Sequence, residues 1–393
     1  MSEPVTHTHW PTTLLLFAAG CAVSLNIGKV PASLPAISAD LDLNLFQNGL
    51  IVALFSALIA AFGLLIGLSA ARIGYRRAAL TGLSLAAAAG LLAPLIDSFG
   101  VLLMLRVGEG FGWVLVAVSM PVLMSASAAT RDQPLVLGIW GAFVPAGMVV
   151  ALLYAPFLLS LSGWRGLWFF TGLLCLLAAL AVLRPSARLS VPAARRFSLS
   201  EIRSVVLRRI TVAMAACFLV YSALYITVTA FFPLVLIERH TLEVPSAAIL
   251  GALIVVGNIA GNIASGWLIG RGVNRYMLVY AAMLACGLIA FGVFLPQIPI
   301  EWRVLSAALF TISGGMIPGT LFASVPLVVA QAAHIGIVNG LIMQGAGNGQ
   351  FFGPMLQTAI VERGGDWVWA LLATSLFAVT GLLAARVFQQ TGP

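Results

Sequence analysis

Twelve long apolar runs, with almost every charge placed between them, leave this chain few folds to choose from. The runs cover roughly 14–35, 49–70, 78–96, 101–124, 135–161, 166–183, 210–236, 247–269, 276–295, 304–329, 335–360 and 368–388. A helix needs about 20 apolar residues to cross the hydrocarbon of a bilayer, and each run is close to that length. Only 8% of the 393 residues are charged and 61% are hydrophobic. A soluble domain carries about 25% charged residues, so most of this surface must face lipid. In lipid the backbone has no water to bond, and the runs are expected as helices.

The twenty basic residues are nineteen arginines and one lysine. They fall in short loops, not on one face of a soluble domain, which argues against nucleic acid despite a pI near 9.9. With the N-terminus inside, the inner loops and tail collect Arg72, Arg76, Arg77, Arg131, Arg184, Arg188, Arg195, Arg196, Arg203, Arg208, Arg209, Arg271, Arg275 and Arg386. The outer loops collect only Arg165, Arg239, Arg303 and Arg363. Positive residues stay inside, so a multi-pass protein of the bacterial inner membrane is expected, with both termini cytoplasmic. The start lacks a basic segment and a cleavage site, and the first run is expected to stay in the protein. Cys21, Cys175, Cys217 and Cys286 lie in separate runs without metal or redox spacing, and are expected to pack. Thr6-His7-Thr8-His9 is read as a disordered tail rather than a weak metal motif.

A basic hairpin occurs twice. Gly67-Leu-Ser-Ala-Ala-Arg72-Ile-Gly74-Tyr-Arg76-Arg77 is answered by Gly266-Trp-Leu-Ile-Gly-Arg271-Gly-Val-Asn-Arg275. Gly67, Arg72 and Arg76 each recur 199 residues later, so the chain reads as a duplication. The longest polar stretch, 184–209, divides six runs from six. It predicts an N-terminal bundle over 1–183, a cytoplasmic linker over 184–209 and a C-terminal bundle over 210–393. Within the linker, Ser198 and Glu201 form a capping-box pattern. A short helix on the inner membrane face, near anionic lipid, is one reading. A flexible linker is the other.

These features resemble the major facilitator superfamily over essentially the whole length. Its loop between helices 2 and 3 carries Gly, an acid and Arg, then Gly and basic residues. Gly67, Arg72, Gly74, Arg76 and Arg77 fit, but Ala71 stands where the acid is usual and Gly270 in the second copy. In the family that acid helps latch the two halves on the inner side. Arg106-Val-Gly-Glu109-Gly110 is similar to the helix-4 motif. Gly138-Ile-Trp-Gly141-Ala-Phe-Val144-Pro145-Ala-Gly147 is similar to the antiporter motif of drug exporters, and Gly349-Gln-Phe-Phe-Gly353-Pro354 fits its Gly-Pro pattern better. The resemblance implies an all-α membrane protein of twelve transmembrane helices in two pseudo-symmetric six-helix bundles, rocking about a central site lined by helices 1, 4, 7 and 10. It also implies that the hairpin residues Gly67, Arg72, Gly74, Arg76, Arg77, Gly266, Arg271 and Arg275 serve gating. Pro145 and Pro354 join that set.

Lys29, Arg106 and Glu109 are the ionisable residues deep inside the runs. A charge there costs about 2.5–3.5 kcal/mol on insertion scales, which makes each a functional candidate. Lys29 lies about eight residues below the outer edge and Arg106 about six, so both sit roughly 10 Å in at 1.5 Å per residue. Asn26 and Lys29 share one helix face, as do Arg106 and Glu109. Two cations and a carboxylate would suit an anionic or zwitterionic substrate: Arg106 offers a fork, Lys29 a point charge, and Glu109 a proton-exchanging carboxyl. Glu109 neutralising its neighbours is the plainer reading. In the second half Tyr221 and Tyr225, Asn258 and Asn262, and Gln344 and Asn348 are pairs four apart that could touch substrate or join helices. Ser313-Gly-Gly-Met316-Ile-Pro318-Gly-Thr320 suggests a gating bend at Pro318 or close helix packing.

The leading expectation is a monomeric secondary active transporter, symporter or antiporter, moving a small organic anion or zwitterion by alternating access and coupled to protons. A proton-driven multidrug exporter and a facilitator for cyanate or nitrate are the alternatives. No cofactor, metal or ATP is expected: no phosphate-binding loop, His-Glu-x-x-His or Gly-x-Ser-x-Gly occurs, which argues against an enzyme.

Overall fold

The computed structural model describes residues 6–329 and 331–390, and those residues contain helices and no strand. Spans 1 to 4 are α1 (Trp10–Asp40), α2 (Leu45–Ile73), α3 (Tyr75–Leu91) and α4 (Phe99–Ala126). Span 5 begins as α5 (Gln133–Gly141) and continues into α6 (Phe143–Ala187), which also holds span 6. Then come the linker helix α7 (Leu199–Val206) and spans 7 to 12: α8 (Arg209–His240), α9 (Val244–Gly270), α10 (Arg275–Phe294), α11 (Ile300–Val328), α12 (Ile335–Gly364) and α13 (Ala370–Gln390). The chain is a multi-pass membrane protein, and the helices form two six-helix halves.

Two local breaks follow from single residues. Pro145 has no N–H for the Gly141 carbonyl, and its ring crowds that carbonyl. The helix therefore parts at Ala142, whose N–H turns back to Ile139 O at 3.0 Å. Gly163, at φ 64° and ψ −172°, reverses the chain between spans 5 and 6 inside α6. Each hairpin also turns on a glycine, though not at matched positions: Gly74 (φ 91°) and Gly272 (φ 88°) both occupy the positive-φ region, which an L side chain resists.

At the end carrying the linker, the halves meet along two seams. α2 crosses α12 so closely that a Cβ on Gly67 would lie 2.5 Å from Gly336 O. α5 crosses α9, where a Cβ on Gly266 would lie 2.5 Å from Pro134 O. The repeated glycines thus sit at equivalent seams, one in each half. Three of the hairpin arginines make contacts within their own halves. Arg76 donates to Ser186 Oγ (3.3 Å) and Leu183 O (3.0 Å), Arg271 stacks 3.8 Å over Trp267, and Arg275 donates to the Tyr276 hydroxyl at 2.8 Å.

At the opposite end, each half is riveted between its first and last helix. Asp40 of α1 accepts from Arg165 Nη1 (2.6 Å) and Trp164 Nε1 (3.1 Å) of α6. In the other half the polarity is reversed: Arg239 and Glu238 of α8 pair with Asp366 and Trp367 ahead of α13. Arg303 fastens a neighbouring loop, donating to Leu295 O (2.8 Å), Ile298 O (3.2 Å) and His240 Nε2 (3.0 Å).

Two sequence expectations need correction. Thr6–His9 is not a free tail: the Thr8 hydroxyl donates to Asp132 Oδ2 (2.5 Å) and accepts from Ala129 N (2.9 Å), and His9 N donates to Ser127 O (3.0 Å). These bonds offset the cost of ordering the segment. In the linker only half the capping box forms. Ser198 Oγ accepts from Glu201 N (3.2 Å), whereas the Glu201 carboxylate turns to His334 (3.0 Å) and Arg195 (3.1 Å). The hydrogen bond from His334, aided by Arg195, holds that carboxyl below the usual range. The four cysteines are free, with Cys175, Cys217 and Cys286 buried.

Candidate functional site

The deep charges of the N-terminal half converge. Spacing of three residues puts Arg106 and Glu109 on one face of α4, and Asn26 and Lys29 on one face of α1. Glu109 bridges them. Its Oε1 lies 2.5 Å from Lys29 Nζ and its Oε2 2.6 Å from Arg106 Nη1. Lys29 also donates to Asn26 Oδ1 (2.7 Å), and Arg106 Nη1 to Asn26 O (3.2 Å). Lys29, Glu109 and Arg106 are 0%, 0% and 2% exposed.

The walls come from the same half. Lys29 Nζ stands 3.9 Å over the Trp168 ring, and the Arg106 guanidinium 5.0 Å from the Phe55 ring centre. Trp168 is itself fixed by donating to Ser33 Oγ at 3.1 Å. Asn26 reaches Cys175 Sγ at 3.6 Å. No sequence signal marked Phe55, Trp168 or Cys175, because apolar wall residues look like any others in a membrane helix. The cluster is therefore an enclosed knot between α1, α2, α4 and α6. Its formal charge is +1, from two cations and one carboxylate. Arg106 Nε is buried without a partner. Breaking such a knot by removing its acid would cost several kcal/mol, since uncompensated buried charge remains.

The C-terminal half builds a neutral network instead. Asn258 Nδ2 donates to the Tyr221 hydroxyl (2.9 Å) and Thr311 O (3.3 Å). Asn262 Nδ2 donates to Asn258 Oδ1 (2.9 Å), and its own Oδ1 is buried unpaired. The Tyr225 ring lies 5.6 Å from that of Tyr221. The network joins α8, α9 and α11. Gln344 and Asn348 lie elsewhere, in the α2–α12 seam: Gln344 Oε1 accepts from Leu64 N and Asn348 Nδ2 donates to Ala60 O, both at 3.3 Å. Among the described residues no hydrogen bond or ion pair joins these three groups.

The proline positions also differ. Pro145 breaks its helix, but α11 runs through Pro318 and α12 through Pro354 without a non-helical residue. The glycines beside them allow close packing: a Cβ on Gly319 would lie 2.7 Å from Asn262 O, and one on Gly353 2.7 Å from Ala223 Cα.

Known proteins share this architecture. A family model of the Major Facilitator Superfamily matches residues 14–348. The mouse (Mus musculus) monocarboxylate transporter 11 is 28% identical over 291 residues, 69% of this chain and 63% of that protein. The tetracenomycin C resistance and export protein of Streptomyces glaucescens is 28% identical over 182 residues, 44% of this chain and 33% of that protein. The chain thus spans less than two thirds of the length of either. The E. coli fucose:proton symporter FucP superimposes with a TM-score of 0.75 at 16% identity, covering 96% of this chain and 98% of that one. With its helices, seams and family match in agreement, the chain belongs to the major facilitator superfamily.

Proposed function

We propose that this protein is a secondary active transporter for a small organic anion or zwitterion, coupled to protons and working by alternating access. The observation that carries the reading is the Lys29–Glu109–Arg106 knot, which holds a formal excess of one positive charge on buried side chains. A low-dielectric site with surplus positive charge is stabilised by taking up an anion or by losing a proton. One group of residues can therefore exchange the two. In this state the knot is closed, so cargo binding requires a second conformation in which Arg106 and Lys29 are reached. A monocarboxylate is the simplest cargo of that charge, and the name of the mouse relative points the same way. Asn26, Tyr221, Tyr225 and Asn258 are the polar groups we assign to the remainder of the path. Gln344 and Asn348 we assign to closing it, along with Gly67 and Gly266.

The remaining assignments belong to the same proposal. Residues 1–183 and 210–393 are the two moving units and 184–209 their linker. The linker and both termini face the cytoplasm of a bacterial inner membrane, and the protein works as a monomer. A multidrug exporter is the second reading, favoured by the tetracenomycin relative.

Purified protein in proteoliposomes tests the choice. Uptake of radiolabelled pyruvate, lactate or acetate should saturate and follow an imposed pH gradient. Rates equal to those of empty vesicles for all three, with gradient-driven ethidium movement instead, would favour the exporter.

A further inference from the structure

The hairpin after α2 has Ala71 where an acid would be charged, yet the two halves are tied at this point. The tie is Tyr75, the first residue of α3, which is 1% exposed. Its hydroxyl donates to Ala333 O at 2.9 Å and accepts from Gly336 N at 3.1 Å, both in the other half. Gly336 is the second residue of α12. The first four N–H groups of a helix have no partner within it. The residue preceding α12, His334, makes no side-chain cap. It is turned instead toward Glu201. The start of α12 is thus capped across the seam, by a residue of the opposite half.

The fit is close. A Cβ on Gly336 would lie 2.5 Å from Tyr75 Cε1. Gly74, with φ 91°, turns the chain so that Tyr75 enters this slot. The linker fastens the same place from the outside: Arg195 N donates to Ala71 O (3.1 Å), and Arg195 Nη1 to Gln331 Oε1 (3.1 Å).

We propose that the Tyr75 hydroxyl is the positioning group that weights the transport cycle toward the state closed at the linker end, acting as a cap for α12 supplied from the other half. Because a phenol is uncharged over the working pH range, the tie needs no counter-ion and does not respond to the proton gradient. Each cycle must break it, uncapping α12, and remake it. The inference depends on the carrier fold and not on the cargo, so it stands whether or not a carboxylate is moved.

Tyr75→Phe isolates the hydroxyl, since the ring still fills the slot beside Gly336. Two measurements on the purified full-length protein decide. Amide exchange read by mass spectrometry over 332–340 should be about tenfold faster in Tyr75→Phe, as expected from loss of two hydrogen bonds, while 262–270 in the other seam changes less. Spin labels on Arg77→Cys and Val273→Cys, with the four native cysteines replaced, should show the fraction with linker ends apart rising by about the same factor. A role in packing alone predicts no change in either, because phenylalanine keeps the ring. Unchanged exchange over 332–340, or an unchanged distance distribution, overturns the proposal.

Discussion

The two halves share one fold but solve the problem of buried polarity differently. The N-terminal half concentrates charge: Lys29, Glu109 and Arg106 form a closed knot against Trp168 and Phe55. The C-terminal half instead joins α8, α9 and α11 through neutral groups: Tyr221, Asn258, Asn262 and Thr311. A neutral network tolerates a missing member, because each group forfeits a modest hydrogen bond. A charged knot does not, because removal of one member leaves an unbalanced charge in low dielectric. The halves are therefore expected to differ in how steeply they respond to change, and in which of them can couple cargo to protons.

The largest test of that contrast is Glu109→Gln. It leaves two buried cations facing each other, and the expected loss is about 3–5 kcal/mol, read as a large drop in thermal midpoint and loss of transport. The double variant Lys29→Met/Glu109→Gln removes one cation as well and should recover much of the midpoint but not transport. If Glu109→Gln is as stable as the parent, the knot is not charged as described. In the other half, Asn258→Leu severs the link among α8, α9 and α11 and leaves Asn262 with less support. About 1–3 kcal/mol is expected, with cargo transport slowed rather than abolished; a loss as great as that of Glu109→Gln would erase the contrast between halves. Tyr221→Phe removes one hydroxyl and should cost about 1 kcal/mol, seen as a shift of a few degrees in a thermal melt.

The rivets at the far end sharpen the comparison further. Asp40→Asn and Asp366→Asn each weaken an exposed pair, so each should cost about 0–1 kcal/mol. Equal effects would show that reversed polarity is immaterial. The smallest expected effect concerns the linker. Glu201 has its carboxyl held below the usual range, so the folded state favours the ionised form. Its contribution is complete above the ordinary carboxylate range and lost as pH falls through the lowered value. The thermal midpoints of the parent and Glu201→Gln should differ slightly at pH 7 and converge in strong acid.

Much of the frame was legible from the order of residues. The apolar runs marked the spans, and the twin hairpins marked the duplication; the break at Ala142 was not foreseen, since 135–161 reads as one run. The depth of Lys29 and Arg106, counted from the helix ends, also anticipated that they would meet. What the order of residues did not reveal was rotation. Membrane helices are apolar on lipid-facing and buried faces alike, so periodicity does not say which way a side chain turns. For that reason the enclosure of Lys29 by Trp168 was hidden, and so was the use of Gln344 and Asn348 in a seam. The docking of Thr8 was missed for a different cause: short polar segments are anchored by individual hydrogen bonds that leave no periodic trace.

The break at Ala142 makes the two seams mechanically unequal. α2 presents a continuous helix to α12, so that contact shears as one stiff rod. α5 is a stub of nine residues, about 13 Å long at 1.5 Å per residue, hinged where Pro145 withholds its donor. A short lever on a soft joint can tilt away from α9 by degrees, whereas a rod must let go along its length. Separation of the halves is then expected to be lopsided, peeling from the α5 side before the α2 side yields.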